Sequence, residues 1–181
     1  MNAGAADERF AAASASPGSG PPGDAQRLFM SMFPSGVAVV TATDGGGVPH
    51  GLTCTAMTSV SLEPPTLLVS LNHASGTLAA LRESGRFAVN LLRARSERTA
   101  EIFAGRVADR FDATIWTPSV STRQPRLVRD AFAFAGCTVH QAISVGDHEL
   151  VVGRIQEIEV AEDVPLLYGM RRFARWPVQQ L

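Results

Sequence analysis

Four short stretches of the chain hold residue types able to bind a planar ligand, an anion or a proton. In residues 53–61, counting by two puts Thr53, Thr55, Met57, Ser59 and Ser61 on one side of a strand. Leu52, Cys54, Ala56, Thr58 and Val60 fall on the other side and read as core. A row of small hydroxyls with one soft methionine lets a flat ligand approach the backbone closely, and it equally suits a solvated strand face. Residues 72–77 (Asn-His-Ala-Ser-Gly-Thr) sit where a strand passes into a helix. Free N–H groups beside Ser75, Gly76 and Thr77 make an anion site there, or Ser75 simply caps its helix. Arg110, in Asp109-Arg110-Phe111, has the fork geometry that grips a phosphate bidentately. Gly146-Asp147-His148 is a tight turn whose histidine can hydrogen-bond, stack or titrate in a cleft.

The residues that are missing narrow the chemistry further. All 16 cations are arginine and lysine is absent, so there is no P-loop lysine, no Schiff base and no lysine base. Any phosphate must be held by arginine, hydroxyls or backbone N–H groups. Sixteen cations against 17 anions argue against a nucleic-acid binder. Cys54 and Cys137 stand far apart without a CxxC or His–Cys cluster. Two buried free thiols in a reducing cytoplasm are expected, with no metal site and no disulfide. The Gly-rich stretch 44–47 runs into a strand rather than a helix, which excludes a dinucleotide fingerprint. No GxSxG or HExxH motif occurs, and no apolar run is long enough for a membrane span.

The 181 residues suffice for one domain with a tail. Residues 1–23 are small, Pro/Gly-rich and poor in packing groups, which predicts a disordered tail and an ordered domain over 24–181. Asp24 is a helix N-cap candidate, with Leu28, Phe29, Met32 and Phe33 on one side. Strands are expected at 37–43, at 48–62 without interruption, at 66–71 and at 86–92. Helices should follow Ser75, ending at Gly85, and Ser96, ending at Gly105. Residues 106–130 read as loop. Two long strands, 131–145 and 148–161, complete the pattern as a hairpin turned by Gly146-Asp147. Hairpin-linked strands with few helices make the chain mainly β, a closed antiparallel barrel.

Together these fragments resemble the short-chain flavin reductases, the reductase components of two-component flavin-dependent monooxygenases. The matching residues are 36–41 (GVAVVT), 51–56 (GLTCTA), 59–65 (SVSLEPP), 84–90 (SGRFAVN), Asp109-Arg110-Phe111 and Gly146-Asp147-His148, in the family's order. The resemblance implies an FMN-binding split barrel, an antiparallel Greek-key barrel with a few flanking helices, usually a homodimer. It implies that NADH or NADPH reduces FAD or FMN and that reduced flavin leaves for a partner monooxygenase. Thr55, Ala56, Met57, Thr58, Ser59 and Ser61 would then line the flavin. Ser75, Gly76 and Thr77 would meet its phosphate with Arg110 closing over it, while Gly146, Asp147 and His148 would face the nicotinamide, His148 as the catalytic contact. Tyr168 and Arg171 match the family's C-terminal segment. The rival expectation is a flavin-holding protein on the same barrel without reductase turnover.

Overall fold

The computed structural model describes residues 23–105 and 109–177. The expected tail therefore lies outside the described residues, apart from Gly23. Three helices and twelve strands follow in order: α1 Gly23–Ser31, β1 Ser35–Gly36, β2 Ala38–Thr43, β3 Pro49–Cys54, β4 Met57–Leu62, β5 Pro65–Asn72, α2 Gly76–Ser84, β6 Arg86–Leu92, α3 Glu97–Ala104, β7 Trp116–Pro118, β8 Pro125–Leu127, β9 Ala131–Val145, β10 His148–Val160, β11 Leu166–Gly169 and β12 Arg172–Arg175.

Seven of the strands form one antiparallel sheet in the order β3-β2-β6-β9-β10-β5-β4. Its two edges, β3 and β4, are consecutive in sequence and joined by Thr55-Ala56 alone. So short a link spans only about 10 Å, so the sheet must roll until its edges meet. The Ser70 N–H donates to the Ala56 carbonyl at 2.9 Å, extending the β4–β5 ladder back into the link. The sequence pattern predicts a single strand over 48–62; the chain instead leaves one edge at Cys54 and joins the other at Met57. The crossing also inverts the faces. Leu52, Cys54 and Met57 belong to the interior cluster, whereas Val60, expected inside, is 53% exposed. A bulge between Ser59 and Ser61 in the β4–β5 register then puts Ser61 opposite buried Thr66 and on the other face from Ser59. The hydroxyls do not share one face.

Two cores flank the sheet. Inside the barrel, Ala38, Val40, Val69, Leu71, Phe87, Val89 and Val151 pack with Leu78 and Leu81 of α2, which plugs one end. Outside, Val37, Val39 and Leu92 pack with Ala100 and Phe103 of α3, Phe111, Leu127 and Leu166. Strand β2 is buried on both sides, as its continuous apolar run requires. Cys54 and Cys137 are free and buried inside, and burial pushes their thiols up to about 11 and about 12.

The local signals for α2 match its ends. Ser75 accepts from the Thr77 and Leu78 N–H groups, and Gly85 takes φ 66 at the C-terminus. Ser96 makes no such cap at α3; its hydroxyl donates to Asp130 instead, and Gly105 is extended at φ −81. The expected loop 106–130 contains the ribbon β7–β8, bound to the barrel by Asn90. That side chain donates to Val39, Thr41 and Pro125 and accepts the Leu127 N–H. Beyond the long hairpin, β11 pairs with β1 on one side and β12 on the other in a small third sheet that the sequence pattern misses.

Candidate active site

The start of α2 opens onto a cleft of about 620 Å³. Ser75, Gly76, Thr77 and Arg110 all line it, together with His50, Phe103, Asp109 and Asp112. Ser75 occupies the Thr77 and Leu78 N–H groups as cap, which leaves the Gly76 N–H, first of the helix, without an intrahelical partner. Arg110 donates to the carbonyls of Gly51 at 2.7 Å, Phe103 at 3.5 Å and Gly105 at 3.1 Å. Its guanidinium thus ties the loop after α3 to β3 and gives the cleft a fixed positive charge. Gly51 is required beneath it, because a Cβ there would come within 2.7 Å of the Phe103 ring.

The crossing between β3 and β4 faces a second cavity, of about 670 Å³. Thr55, Ala56 and Met57 line it with Tyr168, Arg171 and the α1 residues Asp24, Arg27 and Met30. Thr55, Tyr168 and Arg171 also border a neighbouring cavity with Thr53, Glu97 and Phe173. The β11–β12 hairpin aims Arg171 there through a two-residue turn in which Met170 and Arg171 take φ 52 and φ 60. Tyr168 is braced edge-on by Phe173, ring centroids 5.2 Å apart. Thr58, Ser59 and Ser61 are not among the residues lining these cavities. Thr58 bonds to the Ser59 carbonyl and Ser61 to the backbone of Glu63 along edge strand β4.

Gly146, Asp147 and His148 form the tip of the β9–β10 hairpin, with Gly146 at φ 58. His148 pairs with Asn72 of β5 and does not line the cavities around Thr55. Asp147 accepts from His148 Nδ1 at 2.8 Å and from the Asn72 amide at 3.4 Å. That ring, then its charge, holds the Asp147 carboxyl below the usual value. A carboxylate only accepts, so the neutral ring carries its proton on Nδ1 and leaves Nε2 outward. Buried Glu149 sits beneath, held low chiefly by the Arg82 guanidinium that donates to both its oxygens, with Ser144 donating as well. The sequence reading missed Asn72, Arg82 and Glu149 as supports, since the β5–β10 register sets Asn72 opposite His148 and the packing of α2 brings Arg82 to Glu149 across 67 positions. Among the described residues no cluster of His, Cys, Asp or Glu could hold a metal, and no helix is long and apolar enough to cross a membrane.

Residues 30–177 match the family model of the flavin reductase like domain. The chain belongs to that family. It is 58% identical over 150 residues to the flavin reductase (NADPH) of Lentzea aerocolonigenes, covering 83% of this chain and 88% of that protein. The reductase component of 4-hydroxyphenylacetate 3-monooxygenase from Thermus thermophilus is 36% identical over 157 residues, 85% of this chain and 98% of that one. Among solved structures, the NADH:FAD oxidoreductase SgcE6 of Streptomyces globisporus C-1027, in complex with NAD and FAD fragments, superposes with a TM-score of 0.81. It is 27% identical and covers 97% of this chain and 98% of that one.

The residues present fit a flavin. Thr55 and Ala56 are small and exposed at the seam, so a ring edge can reach the backbone there. The α2 cleft offers a helix N-terminus and Arg110 for a phosphate without lysine.

Proposed function

We propose that this chain is an NAD(P)H-dependent flavin reductase that reduces FAD or FMN and releases reduced flavin to a partner monooxygenase. The observation that carries this reading is the seam itself, where the crossing of a rolled sheet exposes Thr55 and Ala56 beside Tyr168 and Arg171. A bound flavin supplies the two-electron chemistry, accepting a hydride from the reduced nicotinamide. Thr55, Ala56 and Met57 orient the ring, and Arg171 brings positive charge that favours its reduced, more anionic form. Ser75, Gly76, Thr77 and Arg110 hold the phosphate end. Tyr168 closes the side of the ring site, whereas Thr58 and Ser61 share one face of β4 and Ser59 takes the other, so the three do not form one flavin wall. Gly146, Asp147 and His148 present the outward Nε2 to the nicotinamide. Hydride transfer between the two cofactors needs no side chain as general acid or base.

We further propose a homodimer working in the cytoplasm. Support comes from Leu28, Phe29, Met32 and Phe33 of α1 and its exit, each more than half exposed, and from the two free thiols. α1 residues also line the seam cavity, so a second copy seated on α1 would wall it in. Steady-state oxidation of NADH and NADPH, each titrated with FAD and FMN, tests the activity. The rate should saturate in added flavin with one preferred nicotinamide; no oxidation above the protein-free rate with any of the four pairs would overturn it.

A further inference from the structure

His50 is absorbed by no role above, yet it stands in the α2 cleft. It follows the turn of residues 44–47, which Asp44 organises: Asp44 Oδ1 accepts the Gly46 N–H at 3.0 Å and the Val48 N–H at 2.9 Å. Its second oxygen takes His50 Nε2 at 2.9 Å. That ring, followed by the Val48 N–H, holds the Asp44 carboxyl below its ordinary value. Since a carboxylate only accepts, the neutral ring keeps its proton on Nε2 and turns Nδ1 the other way. Nδ1 points at the beginning of α2, where a Cβ built on Gly76 would stand 3.5 Å from it. The imidazole is only one-third exposed and lines the same cleft as Gly76, Thr77 and Arg110.

We infer that His50, oriented by Asp44, is the titratable partner of the flavin phosphate, so that binding of a phosphorylated flavin takes up a proton. This deepens the reading of the cleft as a flavin phosphate site and rests on it. The groups facing the ring are Asp44 on its own turn, Asp109, Arg110 and Asp112 on the segment after α3, and Glu83 of α2 beside Gly45. Arg110 is fixed on three carbonyls. His50 is the side chain of this set that can gain a proton and with it a second N–H donor. A neutral ring turns a lone pair on Nδ1 toward the anion and repels it. The imidazolium, with Asp44 on its far side, turns an N–H toward it and adds a charge-assisted hydrogen bond. Affinity for FAD, whose pyrophosphate keeps its charge over this range, must then fall as pH rises between about 5 and 8, whereas riboflavin, which has no phosphate, should be indifferent. FMN adds the ionisation of its own phosphate monoester at about pH 6.

The experiment measures dissociation constants of riboflavin, FMN and FAD across that pH range for the wild-type chain, H50Q and D44N. Wild type should lose FAD affinity with rising pH against a flat riboflavin profile. H50Q should weaken FMN and FAD about tenfold more than riboflavin at pH 6, the scale of one hydrogen bond to a charged group, and flatten the pH dependence. D44N should show a smaller loss in the same direction. The wild-type pH profile needs no mutant, so a poorly folded variant does not spare the inference. Parallel profiles for all three flavins, or an H50Q effect confined to the NADPH/NADH ratio through the 2′-phosphate, would overturn it. Failure of the wild type to bind any flavin would instead overturn the reading of the cleft.

Discussion

At the residue scale the account divides two ligands between two places, and single substitutions should separate them. Thr55→Val keeps volume but removes the hydroxyl at the seam, so the flavin KM should rise severalfold while the nicotinamide KM holds, the scale of one hydrogen bond. His148→Ala removes the ring that Asp147 fixes and should raise the nicotinamide KM about tenfold or slow hydride transfer, with flavin affinity nearly intact. Steady-state kinetics with each substrate varied in turn reads both. Equal losses for both ligands in His148→Ala would make the residue a structural part of the hairpin. Residues whose role is set by their own neighbours were legible in the sequence: Ser75 caps α2 and Gly85 ends it, because both signals act within a turn. Arg110 was legible as a cleft cation but not as a tie to three carbonyls, since Gly51 is 59 positions away.

At the element scale the decisive feature is the change of sheet edge at Thr55-Ala56. Alternation of hydroxyls was readable, but a period of two carries no record of a crossing or a bulge, and each one swaps the faces. The C-terminal hairpin escaped for another reason: its turn uses Met170 and Arg171 at positive φ instead of glycine or asparagine, so no turn signal marks it. The β7–β8 ribbon depends on Asn90, a buried amide whose partners lie on β2 and β8. Asn90→Ala would leave those groups unsatisfied in the core and should cost about 2–3 kcal/mol. Thermal unfolding should then show a Tm lower by roughly 5–10 °C. An unchanged Tm would mean that the ribbon stays in place without this amide.

At the scale of the whole molecule, the closed antiparallel barrel expected from hairpin-linked strands is present, and its closure follows from a two-residue link between opposite sheet edges. Acid stability is a property of this assembly. Asp44, Asp147 and Glu149 all sit below their ordinary values of 3.8, 3.8 and 4.5, each chiefly through a hydrogen bond to a nitrogen base or cation. Groups lowered on folding stabilise fully above those ordinary values, and that contribution is lost as pH falls through the lowered ones. The urea midpoint should therefore stay level down to about pH 5 and drop below about pH 4; a midpoint that rises on acidification would contradict the assigned partners. The proposed homodimer should appear by light scattering at twice the 19.2 kDa chain mass, and a single-chain mass at micromolar concentration would remove it. The most direct test of the central claim is anaerobic: the protein is mixed with a large molar excess of free flavin and with NADH or NADPH in excess over that flavin, and absorbance counts the flavin reduced per chain. The account predicts that the whole flavin pool bleaches over many turnovers, and bleaching that stops at one equivalent per chain would contradict it.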